Sequence, residues 1–111
     1  MSVKPEYKTK LLQIIHKYIP GCVVYLFGSR ATGRHQSGSD IDLALDAGGA
    51  IPLKTLLAIQ NEIDETTIPL FVDLLDLCGA DENITREVYS KGLLWTQKPP
   101  LLPPSPTSTN D

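Results

Sequence analysis

The chain has 111 residues, of which 41% are hydrophobic and 21% charged, and its formal net charge is −3. This length and composition predict one soluble globular domain with a small core and leave no room for a second substrate-recognition domain. Because the chain is net negative and its lysines and arginines form no cluster of five or more, it lacks the charge pattern of an autonomous nucleic-acid binder, which favours a mononucleotide substrate.

The cysteines and the hydropathy pattern indicate the cellular compartment of the protein. Cys22 and Cys78 are far apart and have no histidine at ligand spacing, which disfavours a zinc site and predicts two reduced thiols. No apolar run approaches the roughly 18 residues of a membrane span, and the first residues lack the apolar segment of a signal peptide. We therefore expect a cytoplasmic protein that does not bind membranes.

Apolar periodicity and chain breakers predict the elements in order. Residues 6–19 carry apolar side chains at helical spacing, and Pro20 and Gly21 end this helix. The elements that follow are a strand at 22–27, a short helix at 29–33, a strand at 40–45, a helix at 52–66, a strand at 70–77 and a helix at 82–90. Residues 93–95 form either a short edge strand or a segment packed on the core. The strand–helix–strand order from 40 to 77 predicts a right-handed parallel connection.

The domain is predicted to span residues 1–97. Residues 98–111 are rich in Pro, Ser and Thr and cannot bury enough apolar surface to fold, so we expect a disordered tail. The fold class is α/β (α+β), with a small sheet of three to four strands flanked by helices.

The residues that indicate chemistry lie between positions 23 and 43. An apolar strand stops at Gly28 and Ser29, where exposed backbone amides at a strand-to-helix turn suit a phosphate. Asp40 and Asp42 alternate with aliphatic residues, so both carboxylates point to one strand face. Acids are poor strand formers and repel each other, which favours a site for one or two Mg²⁺ ions over a solvated strand face.

The loop between the glycine–serine turn and the acids contains further candidates. Arg34 and Ser39 are predicted to bind nucleotide together with the turn. Arg30 and His35 are alternative phosphate partners, with solvated loop charge as the other interpretation. Ser29 either donates its hydroxyl to a phosphate or caps the short helix.

The combination of Gly28, Ser29, Asp40 and Asp42 at this spacing resembles the nucleotidyltransferase superfamily that includes DNA polymerase beta. The short chain is similar to a minimal nucleotidyltransferase (MNT) domain, the kind paired with a HEPN-type ribonuclease in toxin–antitoxin systems. The resemblance implies a nucleotidyltransferase fold with a mixed sheet, two Mg²⁺ ions as cofactors and ATP as co-substrate. It also implies that Asp40, Asp42 and Asp73 are the catalytic, metal-binding acids and that AMP is moved to a hydroxyl of a HEPN-type toxin.

Two other aspartates have competing interpretations. Asp76 is the alternative third acid: it has the opposite strand parity to Asp73, so a regular strand turns it away and a bulge would exchange the two. Asp46 shares the parity of the acid pair but lies where the strand ends, so a turn role is expected.

Two other functions remain open on the sequence. One is a non-catalytic antitoxin, a binding module that acts by complex formation. The other is a small-molecule nucleotidyltransferase, although such enzymes carry an extra domain for the acceptor. Because this chain has no room for one, we expect the acceptor site to come from a partner protein or a second copy, in a hetero-oligomer or homodimer.

Overall fold

The computed structural model of the chain describes residues 3–96. The predicted tail at 98–111 lies outside the described residues. The elements in chain order are α1 (Pro5–Tyr18), β1 (Val23–Phe27), α2 (Ser29–Thr32), β2 (Ile41–Asp46), α3 (Leu53–Asp64), β3 (Val72–Asp76), a short 3-10 helix (Leu77–Gly79), α4 (Glu82–Lys91) and β4 (Leu93–Leu94). None of the helices in this part of the chain is long and apolar enough to cross a membrane.

The four strands form one mixed sheet in the order β3-β2-β1-β4. The two central strands, β1 and β2, are antiparallel, whereas β2 and β3 are parallel and are joined through α3. The predicted parallel connection and fold class are therefore confirmed. β4 pairs antiparallel with β1, with Leu94 opposite Tyr25, so Leu93 and Leu94 form an edge strand, while Trp95 packs against the core.

One face of the sheet carries the main core. The helices α1 and α3 cover it, and the side chains packed there include Leu11, Ile15, Val24, Leu26, Leu43, Leu45, Ile59 and Ile63. Each is at least 96% buried, and burial of a side chain of this size contributes about 1.5–3 kcal/mol. This face supplies most of the hydrophobic stabilisation.

The opposite face is covered much less. A smaller cluster of Ala44, Leu77 and Val88 lies there, with Tyr25 and Phe27 packed against it. Its cover is α4, which contacts β1. The N-terminal ends of β2 and β3 are therefore accessible to solvent on this face.

The third strand is shorter than the 70–77 predicted. It ends at Asp76, whose carboxylate accepts hydrogen bonds from the Cys78 amide at 3.0 Å and the Ile51 amide at 2.9 Å. These bonds turn the chain into the 3-10 helix, because the side chain competes with the ladder for backbone partners. The helix predicted at 52–66 is also shorter than expected, since α3 runs from Leu53 to Asp64.

Gly92 follows α4 directly and does not adopt the left-handed conformation common at helix ends. Its φ of −74° lies in the extended region. A Cβ at this position would run into the Val88 carbonyl oxygen and come within 3.2 Å of the Leu26 carbonyl oxygen. The glycine therefore permits the close approach of the end of α4 to β1.

We expect Gly92→Ala to lower the free energy of unfolding by about 1–3 kcal/mol, the usual cost of overpacking. Gly49→Ala is the matched control, because nothing lies within 4 Å of a Cβ built there, and it should change stability by less than about 0.5 kcal/mol. Urea unfolding of both variants measures the difference. Equal midpoints for the two would show that the contact at Gly92 is unimportant.

Candidate active site

Two of the three predicted acids lie side by side on adjacent strands. Asp42 of β2 is in register with Asp73 of β3, and neighbouring strands are about 4.8 Å apart. Asp40 precedes β2 by one residue, has the same parity as Asp42 and is exposed. All three belong to the sheet face turned away from α1 and α3. Asp76 pairs in register with Leu45 on the core face, so of the two candidates for third acid the structure brings Asp73 to the pair.

Gly28 connects the acids to the predicted phosphate turn. It follows β1, whose last residue Phe27 is opposite Asp42, and it has a φ of +77° that side chains other than glycine rarely adopt. A Cβ on Gly28 would collide with the Asp42 carboxylate. The turn can pass this close to the acid only because the residue is glycine.

Ser29 is the first residue of α2, and Gly28 is the N-cap residue, without a side-chain capping bond. The interpretation of Ser29 as the capping serine is therefore wrong. No residue within the described range 3–96 hydrogen bonds to its hydroxyl. That hydroxyl remains available to a ligand at the turn.

A cavity of about 280 Å³ opens at this turn. Its lining residues are Gly28, Ser29, Thr32, Arg34 and Glu87. The Thr32 hydroxyl donates a hydrogen bond to the Gly28 carbonyl oxygen at 3.3 Å. Arg34 lies on the exposed loop just after α2. Glu87 reaches the cavity from α4. The cavity therefore combines a polar turn and one cation with a carboxylate on its opposite wall.

The electrostatics identify Asp42 as the centre of the acid group. Burial, then the charges of Asp73, Asp40 and Glu87 in decreasing order, raise the pKa of the Asp42 carboxyl above its usual value. Like charges disfavour ionisation of a neighbour, and a cation between them would reverse that effect. The site is thus an uncompensated negative cluster next to a phosphate-sized cavity.

The donor set fits Mg²⁺ bound together with a triphosphate better than a free ion. Within residues 3–96 no group of three His, Cys, Asp or Glu side chains is arranged to hold a metal by itself. Mg²⁺ usually takes one or two carboxylates and completes its shell with substrate phosphates and water. Asp40, Asp42 and Asp73 beside the cavity match that requirement.

The remaining loop candidates have other positions. Arg30 is only 6% exposed, and its guanidinium donates to the Ser39 carbonyl at 2.9 Å and the Ser37 carbonyl at 3.2 Å. The Ser39 hydroxyl accepts a bond from the Gln36 amide at 2.9 Å. His35 and Arg30 line a different cavity, of about 530 Å³. The structure brings Arg34 to the turn but not Ser39, Arg30 or His35, and nucleotide binding by Ser39 stays a prediction.

Sequence reasoning missed Thr32 and Glu87 as cavity residues. Thr32 lies one helical turn after Gly28, so its helical spacing was an available signal. Glu87 comes from α4, far along the chain, and it reaches the cavity only because Val88 packs inward on the site face. No local pattern distinguishes it from a solvated helix glutamate.

The polymerase beta nucleotidyltransferase family matches residues 9–99, which is most of the chain. The matched segment contains the glycine–serine turn and all three acids. The fold, with acids on adjacent strands beside a phosphate turn, agrees with the nucleotidyltransferase class. The chain belongs to the polymerase beta nucleotidyltransferase family.

Particular relatives are found among toxin–antitoxin proteins. The probable protein adenylyltransferase MntA of Haemophilus influenzae is 29% identical over 92 residues, covering 80% of this chain and 81% of the relative. A chain in the crystal structure of a toxin–antitoxin with AMP-PNP has a TM-score of 0.71 at 25% identity, with 82% and 73% of the two chains covered. A chain in the complex of a tri-AMPylated Shewanella oneidensis HEPN toxin with its MNT antitoxin has the same fold, with a TM-score of 0.68, 22% identity and 88% and 74% coverage.

We expect Gly28→Ala to destabilise the protein more than Gly33→Ala. The backbone of Gly28, with φ +77° and ψ −154°, lies in a region that only glycine adopts readily, whereas Gly33, with φ +78° and ψ +8°, lies in the left-handed helical region that alanine enters at a smaller cost. Nothing lies within 4 Å of a Cβ at Gly33, whereas a Cβ at Gly28 meets the Asp42 carboxylate. The difference between the two variants in urea unfolding should be at least about 1–3 kcal/mol, because backbone strain and the collision with Asp42 add at Gly28. Equal stabilities would contradict this conformation of the turn.

We expect Asp42→Asn to be at least as stable as the wild type at neutral pH without metal. The folded protein raises the pKa of Asp42, so the ionised form is disfavoured in the native state. The advantage of the asparagine should shrink as the pH falls through that raised pKa, because the native aspartate then becomes protonated and neutral. Urea unfolding from pH 7 to pH 3 measures it. Glu82→Gln, in an exposed ion pair on α4, controls for the loss of one negative charge.

Proposed function

We propose that this chain is an ATP- and Mg²⁺-dependent protein adenylyltransferase that transfers AMP to a hydroxyl of a HEPN-type toxin and thereby neutralises it. The family assignment and the adenylyltransferase name of the Haemophilus influenzae relative support this function. The observation that carries it is the register of Asp42 with Asp73 beside the cavity at Gly28 and Ser29.

The residues around the cavity suit a bound triphosphate. Ser29 offers its hydroxyl and amide to the β- and γ-phosphates, and Gly28 lets the backbone approach them. Arg34 offers a guanidinium to the same group. A triphosphate held by these groups would bring its α-phosphate toward the acids, because Gly28 lies against Asp42.

The acids would hold the divalent cations. Asp42 lies on β2, Asp40 directly precedes that strand and Asp73 lies on its neighbour, so the three carboxylates come from two adjacent strands. Mg²⁺ held by these carboxylates would supply the positive charge that neutralises the phosphates during transfer. The support for Mg²⁺ is chemical, because carboxylate oxygens are the protein ligands that this ion prefers.

We assign Asp73 to the acceptor. Its side chain is exposed on an edge strand, where a partner's hydroxyl can reach it. The carboxylate accepts the hydroxyl proton while the acceptor oxygen forms a bond to the α-phosphorus. The bond from that phosphorus to the bridging oxygen breaks, and pyrophosphate leaves with the electron pair.

The proposal is tested by incubating the full chain with α-phosphate-labelled ATP, Mg²⁺ and the purified HEPN-type protein of the same genome. We expect the wild type to label the HEPN-type protein and Asp42→Asn and Asp73→Asn to lose at least about a thousandfold in rate, because each loses charge stabilisation of the transition state. Glu82→Gln should keep the wild-type rate. An unlabelled but tightly bound partner would establish the non-catalytic antitoxin instead.

Thermal melts of the same variants separate nucleotide binding from transfer. Mg²⁺–ATP at a hundred times its Kd stabilises a protein by about 2.7 kcal/mol, and Asp42→Asn should lose most of that stabilisation. The same melts with ATP and EDTA, or with Mg²⁺ alone, show whether the site needs both. Equal responses of wild type and Asp42→Asn to Mg²⁺–ATP would contradict the assignment of the acids.

A further inference from the structure

A carboxylate forms one wall of the cavity to which the proposed function assigns the triphosphate. Glu87 lines this cavity together with Gly28, Ser29, Thr32 and Arg34. Phosphate sites in proteins are built from backbone amides, hydroxyl groups and cations, which all attract negative charge. A glutamate in the wall opposes the binding of a phosphate, so it must affect which form of the nucleotide enters.

The packing of α4 holds Glu87 at the cavity. Val88, the next residue, is fully buried in the cluster on the site face, and α4 contacts β1, the strand that ends at the glycine–serine turn. Successive residues of a helix are rotated by about 100°, so Glu87 and Tyr89 lie on opposite flanks of α4. Tyr89 contacts the Tyr25 ring on one flank, and Glu87 reaches the cavity on the other.

The negative charge of Glu87 is not neutralised by a basic neighbour. Glu87 belongs to neither of the ion pairs found within residues 3–96. The adjacent Arg86 donates instead to Glu82, at 3.2 Å. Arg34 lines the same cavity, but its Nε donates to the Thr32 hydroxyl at 3.5 Å. The Glu87 carboxylate therefore acts on the cavity with its full charge.

The charge of Glu87 adds to that of the acids. Burial first, and then the charges of Asp73, Asp40 and Glu87, raise the pKa of the Asp42 carboxyl. Because like charges repel, a region bordered by these carboxylates is unfavourable for an anion that arrives alone. The same region is favourable for an anion that arrives with a divalent cation, which the carboxylates attract.

ATP exists in two forms that differ in charge. Free ATP is a polyanion, and a bound Mg²⁺ cancels about half of its negative charge. Repulsion by a carboxylate on the cavity wall is therefore stronger for the free form. Two unit charges a few ångströms apart near a protein surface change an affinity by roughly tenfold. One glutamate in this position is thus enough to separate the two forms.

We propose that Glu87 is a selectivity residue that disfavours metal-free triphosphate in the cavity, so that the chain binds ATP mainly as its Mg²⁺ complex. This inference rests on the proposed function, because it takes the cavity as the triphosphate site. It adds a residue of α4 that acts through its charge and ligates neither the metal nor the phosphates. Without it, metal-free ATP would occupy the site in a form that lacks the cation needed for transfer.

The test measures the Kd of ATP by titration calorimetry, with Mg²⁺ and with EDTA, for the full chain and its Glu87→Gln and Glu87→Lys variants. In EDTA we expect the Kd to fall about tenfold in Glu87→Gln and further in Glu87→Lys, following the charge of the side chain. With Mg²⁺ the Kd of Glu87→Gln should change by less than about threefold, because the cation offsets the repulsion.

Glu82→Gln is the matched control. Glu82 is an exposed glutamate of the same helix, but it pairs with Arg86 and does not line the cavity. Its replacement removes the same charge from α4 and should leave both Kd values unchanged.

Salt distinguishes the charge of Glu87 from its shape. At about 1 M KCl the Debye length is only about 3 Å, so the difference between wild type and Glu87→Gln in EDTA should largely disappear. A difference of the same size at high salt would mean that the substitution reshapes the cavity, and would overturn the selectivity role.

An unchanged Kd for metal-free ATP in both Glu87 variants, or an equal change in Glu82→Gln, would also overturn it. These titrations need no HEPN-type protein, so they are independent of the transfer reaction. If the wild type leaves the HEPN-type protein unlabelled while Glu87→Gln lowers the Kd of metal-free ATP as expected, adenylylation is wrong but the selectivity role stands. If neither the wild type nor the Glu87 variants bind ATP under any condition, the cavity is not a triphosphate site and both proposals are wrong.

Discussion

The structure of the site depends on two carboxylates placed side by side on parallel strands. Asp42 and Asp73 face the same way because the strands are in register, and burial together with neighbouring charge raises the pKa of Asp42. A sheet that served stability alone would gain from removing this repulsion. The packing of Gly28 against the Asp42 carboxylate ties the phosphate turn to the same point, so the acids and the turn form one unit.

The two faces of the sheet have different roles: one carries the main hydrophobic core and the other carries the acids. The helices α1 and α3 bury one face against a continuous aliphatic core. The free energy of burial on this face offsets the destabilising repulsion between the acids on the other. The other face has the small cluster under α4, and Glu87 of that helix adds negative charge near Asp42. One strand, β2, serves both purposes, because its side chains alternate between the core and the site.

The loop before the acids is shaped by a buried cation. Arg30 donates to the carbonyls of Ser37 and Ser39, and the second of these immediately precedes Asp40. A guanidinium has several donors in a fixed plane, so one side chain can hold two successive parts of a loop. Arg30 therefore positions the loop that leads into Asp40, and Arg34, on the exposed side of the same loop, is the arginine that lines the cavity.

The sequence by itself determined the element types, the parallel connection through α3 and the face shared by Asp40 and Asp42, because periodicity and breakers are local properties of the chain. Only the tertiary structure decided that Asp73 lies beside Asp42, that Arg30 holds its own loop and that Glu87 lines the cavity. It also decided that Gly92 serves a close contact between α4 and β1. These facts depend on strand register and on the rotation of packed helices, which are set by contacts between residues distant in the chain.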